Sequence, residues 1–245
     1  GSTQTAKHIS LINPQLPVYG ETGGKNTIIV TSMADRDLAI KHIIDSAFSF
    51  AGQKCSAASL LILETAVYKD KEFKEKLCDA IKSIQVGSSW DLSNKYSMRV
   101  QRPSELLKHV LIPTGNKENY IIFSRKSHEN RSFLKPTLIW DVTKNSLLYQ
   151  HELFAPVLGV MQAKNIKEAI KLANNTNYGL TAGLESLDKR EQDYWIKHIN
   201  AGNLYINKAI TGAIVGRQPF GGYGLSSFGP SIKTGGELYV NQFVN

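Results

Sequence analysis

Two residues of this 245-residue chain have types and settings suited to covalent chemistry. Cys55 sits in Gly52-Gln53-Lys54-Cys55-Ser56, the polar centre of FSFAGQKCSAASLLIL at 48–63, and Glu21 opens ETGGKN at 21–26. A thiolate is a soft nucleophile available near neutral pH, suited to adding to a carbonyl. A carboxylate held close by can act as general base for a water that later cleaves the adduct. Taken singly, each has an ordinary reading as well: Cys55 as a thiol without a role, Glu21 as a turn carboxylate ahead of two glycines. The surrounding elements decide whether the two can meet.

After ETGGKN, the apolar run Thr27-Ile28-Ile29-Val30 reads as a buried strand. Ser32 with Asp35 resembles a capping box, and Ile40, Ile43, Ile44, Ala47, Phe48 and Ala51 then recur at helical spacing, giving one buried stripe that Gly52 ends. Leu60 to Leu63 resumes as a strand, so Cys55 falls in the connection, where rigid neighbours can fix a side chain that still reaches a cleft. Further on, the pattern predicts a helix from Lys69 to Ile84, with Cys78 as a small buried apolar residue. It predicts strands at 119–123, 136–140 and 157–162, and a helix opened by Asn165 and Glu168. A strand at 180–184, a helix from Leu187 to Asn200 with Gly202 as its stop, and a strand from Asn203 to Asn207 follow. This alternation specifies an α/β fold in which helices cover a mostly parallel sheet.

Composition narrows the class. With 42% apolar and 20% charged residues the chain has ordinary globular content. It contains no run of eighteen apolar residues and no charged-then-apolar leader, so the expectation is a cytoplasmic protein without a membrane span. Two cysteines cannot make a disulfide framework, and the six histidines are scattered, so no structural metal is expected. The net charge of +8 comes from lysines interleaved with acids, as in YKDKEFKEKL, and the one short basic cluster, Arg125 to Arg131, is interrupted by Glu129. Without aromatic interleaving, such charge reads as a solvated surface and not as a nucleic-acid track. Beyond residue 207 the chain turns glycine-rich, in TGAIVGRQPFGGYGLSSFGPSIKTGG, as backbone does where it approaches a ligand closely.

ETGGKN, GQKCSA, HELFAPV at 151–157, NNTNYGLTAGL at 174–184, GNLYIN at 202–207 and QPFGG at 218–222 occur in this order along the chain. Together they resemble the catalytic half of the NAD(P)-dependent aldehyde dehydrogenase superfamily. The resemblance implies that Cys55 attacks an aldehyde, that the thiohemiacetal expels hydride to NAD, and that the resulting thioester is hydrolysed with Glu21 as base. The Cys55 backbone N–H is one candidate donor to the oxyanion. Cys55 follows the C-terminal end of a helix, whose dipole disfavours an anion, so the positive charge of an oxidised nicotinamide is the expected source of thiolate stabilisation.

By the same resemblance Glu152 accepts hydrogen bonds from the nicotinamide ribose and Phe154 backs the nicotinamide ring, although spacing alone reads Phe154 equally as core. Ala155 and Ser227 stand where many members of the family have glycine. GSTQTAKHI resembles the family's Gly-Ser-Thr segment at the start of a cofactor-domain helix, which marks Ser2 as cofactor-binding; Gly1-Ser2 reads equally as a cloning remnant. The implied organisation is residues 1–26 as the end of an NAD-binding domain that mostly precedes this stretch, 27–225 as the catalytic domain, and 226–245 as a C-terminal segment with an oligomerisation strand from Glu237 to Val244. The chain is then expected to be a fragment of a longer polypeptide, inactive alone, partnered by its N-terminal cofactor domain and assembling as a homo-oligomer.

QKCSA, TGAIVGRQPFGG and GLSSFGPSIKTGGELYV resemble the branch that oxidises glutamate γ-semialdehyde, the open form of Δ1-pyrroline-5-carboxylate, to glutamate. That small-molecule substrate carries an α-carboxylate, for which the resemblance offers the Ser56 hydroxyl and the backbone N–H groups of Gly212 and Ala213, with Phe220 walling the aliphatic middle. Ser56 as a turn hydroxyl and Phe220 as a core aromatic stay open. The tail is most similar to the dehydrogenase module of bacterial bifunctional proline utilization A proteins. In those proteins FAD belongs to a separate proline dehydrogenase domain. Another semialdehyde dehydrogenase, or a non-catalytic scaffold with this fold, are the competing readings.

Overall fold

The computed structural model describes residues 1–112, the backbone of 119–122, and residues 133–230 and 232–244. The basic cluster from Arg125 to Arg131 and the end of the strand expected at 119–123 lie outside the described residues. A seven-stranded sheet forms the centre. In chain order its strands are β1 (Asn26–Val30), β2 (Ala58–Glu64), β3 (Asn119–Ile122), β4 (Thr137–Trp140), β5 (Val157–Ala163), β6 (Thr181–Glu185) and β7 (Asn203–Ile206), arranged β3-β4-β5-β2-β1-β6-β7. All neighbours run parallel except β3 against β4. The inner strands read as unbroken apolar runs, and every residue of β1 is buried, because helices cover both faces.

On one face Ile28, Val30, Leu61 and Leu63 pack with α1 (Arg36–Phe48) and α2 (Lys71–Lys82) through Ile43, Phe48, Phe73 and Leu77. On the other, Ile29, Leu60, Ile62 and Met161 meet α3 (Ile166–Asn174) and α4 (Lys189–His198) through Ile170 and Trp195. Cys78 is buried in the first core, as its neighbours on the α2 stripe require. Two short ribbons, Gly20–Glu21 with Ser227–Phe228 and Tyr178–Gly179 with Tyr223–Gly224, fold the glycine-rich tail back over the amino-terminal ends of the parallel strands. Among the described residues no helix is long and apolar enough to cross a membrane.

Several boundaries differ from the sequence reading. Asp35, not Ser32, caps α1, accepting from the Leu38 N–H at 3.0 Å; the Ser32 N–H, which a capping box would pair with residue 35, is taken by Glu64 Oε2 at 2.7 Å. That helix stops at Phe48 instead of running to Gly52, and a tight turn at Ser49–Gly52 follows. The helix expected from Lys69 to Ile84 begins after Asp70, whose side chain accepts from the Phe73 N–H. The Asn165 cap forms, and the Glu168 carboxylate reaches back to the Lys164 N–H at 2.7 Å. The Leu187 to Asn200 helix is shorter, ending at His198, and Gly202 is not its stop: it lies at the start of β7, donating to Gly179 O at 3.0 Å.

The strand expected from Glu237 to Val244 is absent. Residues there form turns and the short helix Val240–Phe243, with Tyr239 N–H bonded to Gly236 O and Asn241 N–H to Leu238 O. A strand needs a neighbour to satisfy its backbone, and with none beside it local turns take that role.

Candidate active site

Cys55, Glu21, Glu152 and their supports all gather at the amino-terminal edge of the parallel sheet, where β1, β2 and β6 begin. The lead-in to Cys55 is an unusual turn. Phe50 and Ala51 both have φ 55° and Gly52 φ 66°, a left-handed run that non-glycine residues enter at a cost of about 1–2 kcal/mol each. Neighbours hold it there. A Cβ on Gly52 would lie 2.3 Å from Ala155 O, so the turn and the 152–156 loop touch backbone to backbone. Gln53 Nε2 donates to Phe50 O at 3.2 Å while its Oε1 accepts from the Val100 N–H at 2.9 Å. Lys54 Nζ lies 4.6 Å from the Phe50 ring centroid, a cation–π contact.

Downstream, the turn is held to the sheet. Asn26 Nδ2 donates to Cys55 O at 2.6 Å and to Ala57 O at 2.9 Å, and its Oδ1 accepts from Thr181 N–H at 3.0 Å. Thr181 Oγ1 donates to Ser56 O at 3.3 Å. The thiol is therefore presented, half-buried, by a turn whose carbonyls are fixed from below. Burial pushes its pKa up, the charges of Glu21 and Glu152 push it further, and the Ser56 and Cys55 backbone N–H groups work against them. Burial is the largest of these influences; the helix whose end was expected to matter stops at Phe48, before the turn that carries Cys55.

Glu21 reaches this edge on its ribbon with Ser227, and Thr234 Oγ1 of the tail donates to its carboxylate. Thr234 also pairs with Phe220, through Phe220 N–H to Thr234 O and Thr234 N–H to Phe220 O, both 2.8 Å. The carboxylate and the half-buried aromatic ring expected to wall the substrate are thus tied through one residue. Glu152 Oε1 accepts from Gly24 N–H at 3.1 Å. Burial pushes the Glu152 carboxyl up in pKa, opposed by that N–H and by Lys25. Lys25 itself is only 4% exposed, its Nζ has no hydrogen-bond partner, and burial pulls its pKa down to about 7 despite the Glu152 charge.

Phe154 is 45% exposed with φ 50°, which removes the core reading left open by its spacing. Buried Arg99 holds its carbonyl, Nη2 donating at 3.2 Å. Ser56 is buried beneath the turn. Gly212, at φ 92°, and Ala213 lie on an exposed loop whose base is fixed by Ile210 N–H donating to Ser46 Oγ at 3.0 Å; none of the hydrogen bonds above reaches them. Ser2 caps the helix Thr3–Ile12, accepting from Thr5 N–H at 3.1 Å. Asn26, Lys25, Arg99 and Thr234 were not singled out from sequence. ETGGKN carried a signal for two of them, since a lysine and an asparagine leading into a buried strand are costly to bury and mark a place the fold treats specially.

The sequence model of the Aldehyde dehydrogenase family matches residues 1–245. The chain is 38% identical over 231 residues to 1-pyrroline-5-carboxylate dehydrogenase of Oceanobacillus iheyensis, covering 93% of this chain and 44% of that protein. It superimposes on proline utilization A of Corynebacterium freiburgense with a TM-score of 0.94 at 41% identity, covering 99% of this chain and 25% of the other. A 1-pyrroline-5-carboxylate dehydrogenase from Thermus with bound NAD gives a TM-score of 0.88 at 34% identity, with 99% of this chain and 48% of that one covered. The chain thus spans less than half the length of these proteins.

Proposed function

Because the chain belongs to the aldehyde dehydrogenase family, we propose that the polypeptide carrying it oxidises L-glutamate γ-semialdehyde to L-glutamate with NAD, as a step of proline catabolism. The observation that carries this reading is the convergence of the Cys55 thiol, the Glu21 carboxylate and the Glu152 carboxylate at one edge of the sheet, the two carboxylates close enough to act on the thiol's ionisation. Relatives named 1-pyrroline-5-carboxylate dehydrogenase support the choice of substrate.

The residues fit the nicotinamide end of NAD. A Cβ on Gly23 would lie 2.3 Å from Glu152 Oε2, so the glycine leaves room for that carboxylate, which would accept the ribose hydroxyls, while the exposed ring of Phe154 would back the nicotinamide. When bound, the oxidised nicotinamide would supply the acceptor for a hydride, two electrons and one proton. In the chain's own part of the reaction, Cys55 Sγ gives up its proton to solvent and bonds to the aldehyde carbon, whose oxygen becomes an oxyanion near the Cys55 N–H. Loss of hydride from that carbon leaves a thioester. Glu21 takes a proton from water as the water attacks, the C–S bond breaks, and the acid is released with Cys55 as thiol.

The substrate's carboxylate end would be held by Ser56 with the Gly212 and Ala213 backbone, and its methylenes would lie against Phe220. The similarity to proline utilization A supports a parent in which FAD, in a separate proline dehydrogenase domain, takes the preceding two electrons. NADH formation from glutamate γ-semialdehyde by that polypeptide tests the reading. Cys55→Ala is expected to abolish it, and Glu21→Gln to give a burst of NADH followed by a stall. No NADH from this substrate, with turnover of another aldehyde, would overturn the substrate assignment.

A further inference from the structure

Asn26 is the best-connected polar side chain at the thiol, and nothing in the chemistry above uses it. It is buried, at the first residue of β1, and both ends of its amide are engaged: Nδ2 with Cys55 O and Ala57 O, Oδ1 with Thr181 N–H. One side chain thereby joins the starts of β1, β2 and β6. The approach is close enough that a Cβ on Gly24 would lie 2.4 Å from Cys55 O and 2.8 Å from the Asn26 amide. In a planar peptide the C=O of one residue and the N–H of the next point in opposite directions, so drawing Cys55 O down onto the sheet turns the Ser56 N–H up toward the cleft.

We propose that Asn26 is a positioning residue for the nucleophile: by holding the carbonyls on either side of Ser56 it aims the Ser56 backbone N–H at the Cys55 sulfur, while the Ala57 N–H holds Lys54 O. The inference rests on Cys55 being the nucleophile of the proposed oxidation. The two N–H groups that favour the thiolate are those of Ser56 and Cys55, against the burial and two carboxylates that disfavour it. The hydrogen bonds of Asn26 go to backbone atoms of Cys55, Ala57 and Thr181. Its influence is on how much of the thiol ionises, and it resists the burial cost because every polar atom of its amide that the site engages is paired.

Alkylation of Cys55 by iodoacetamide, followed by mass spectrometry of the Cys55 peptide across pH, reads this directly in the present chain and needs no cofactor. Asn26→Asp keeps the acceptor for Thr181 and loses both donors; Asn26→Ala loses both without adding charge. Both are expected to slow alkylation at neutral pH by about tenfold and to move the pH profile upward. Ile29→Val, a truncation on the same strand, is expected to lower the melting temperature yet leave the profile in place, which a purely structural role for Asn26 would not distinguish. Should neither variant fold, the Asn26 side-chain amide protons of the unaltered chain are expected to exchange slowly, with the Cys55 and Ser56 amide resonances titrating with the thiol.

Folded variants with an unaltered alkylation profile, or an Asn26 amide exchanging at the solvent rate, would overturn the proposal. A shifted profile in a polypeptide that oxidises no aldehyde would leave the positioning intact and remove the oxidation reading. An unaltered profile alongside normal NADH formation would do the reverse.

Discussion

The two edges of the parallel sheet differ in how completely their buried polar groups are paired. At the carboxyl-terminal edge they are matched. Glu185 Oε1 lies 3.0 Å from His42 Nδ1, and Asn207 both accepts from Ser186 N–H and donates to Ser186 O at 2.9 Å. Tyr68 OH donates to Asp141, and Glu64 takes the Ser32 N–H. At the amino-terminal edge Lys25 Nζ, Thr27 Oγ1 and Ser59 Oγ have no hydrogen-bond partner, although Asn26 beside them is engaged at both ends of its amide. Fully paired groups stabilise a fold, whereas unpaired ones and left-handed turns persist only where the surroundings force them, as they do at reactive sites. The edge that leaves some buried groups unpaired is the one where the proposed reaction is placed.

The same chemical change at each edge separates the two most sharply. Glu21→Gln removes the proposed base and is expected to lower steady-state turnover of the intact polypeptide by about 10²–10⁴-fold. Glu185→Gln, at the far edge, is expected to leave turnover within about threefold. Initial-rate NADH assays of both variants check this, and a comparable loss in Glu185→Gln would end the division of labour.

Stability against pH sharpens it further. Burial, with the Asp35 charge, pushes the Glu185 carboxyl up to about 8 from 4.5, so the folded chain holds a proton that the unfolded chain has released, and stability falls as pH rises through that window. Lys25 is pulled down from 10.5 to about 7, so the unfolded chain binds the extra proton between those values, and stability rises with pH there. Each group contributes at most about 1.4 kcal/mol per pH unit. His42, lowered by burial, adds a rise with pH only below its ordinary 6.5 and partly offsets Glu185 in that acid range. Urea unfolding from pH 5 to pH 10 is expected to show the fall flattened in Glu185→Gln and the rise flattened in Lys25→Met. Slopes unchanged in both variants would mean that neither group carries the linkage.

How much of this was legible depends on the range of the interactions. The alternating strands and helices followed from apolar periodicity, because each element buries a stripe of its own residues. The joint motifs identified Cys55 and Glu21 as partners, though they are 34 positions apart in the chain. What sequence did not reveal is tertiary: the left-handed run at Phe50, Ala51 and Gly52 exists because the 152–156 loop presses on it, and Gly52 alone suggested an ordinary helix stop. Asn26 is locally just a polar residue entering a strand; only the crossing of β2, β1 and β6 gives its amide three partners. The tail's apolar residues from Leu238 to Val244 mimic a strand in pattern, but a strand also requires a neighbour, which no local pattern supplies.

The smallest effect compares two strained residues, one at each edge. Phe154 has φ 50° at the amino edge and Asp141 φ 58° at the carboxyl edge, the latter a residue type that tolerates this region better. Glycine relieves such strain while alanine keeps it, so at either position the glycine variant is expected to be more stable than the alanine variant by about 1 kcal/mol. The comparison with the unaltered chain then separates the edges. Asp141→Gly leaves the Tyr68 hydroxyl without that carboxylate and is expected to cost about 1–2 kcal/mol despite the relief. Phe154→Gly loses a ring that is already 45% exposed, so relief and lost burial nearly cancel and the melting temperature is expected to move by no more than about 3 °C. A Phe154→Gly variant as damaged as Asp141→Gly would mean that the ring is a stabilising contact, leaving less reason to see that loop as shaped for a ligand.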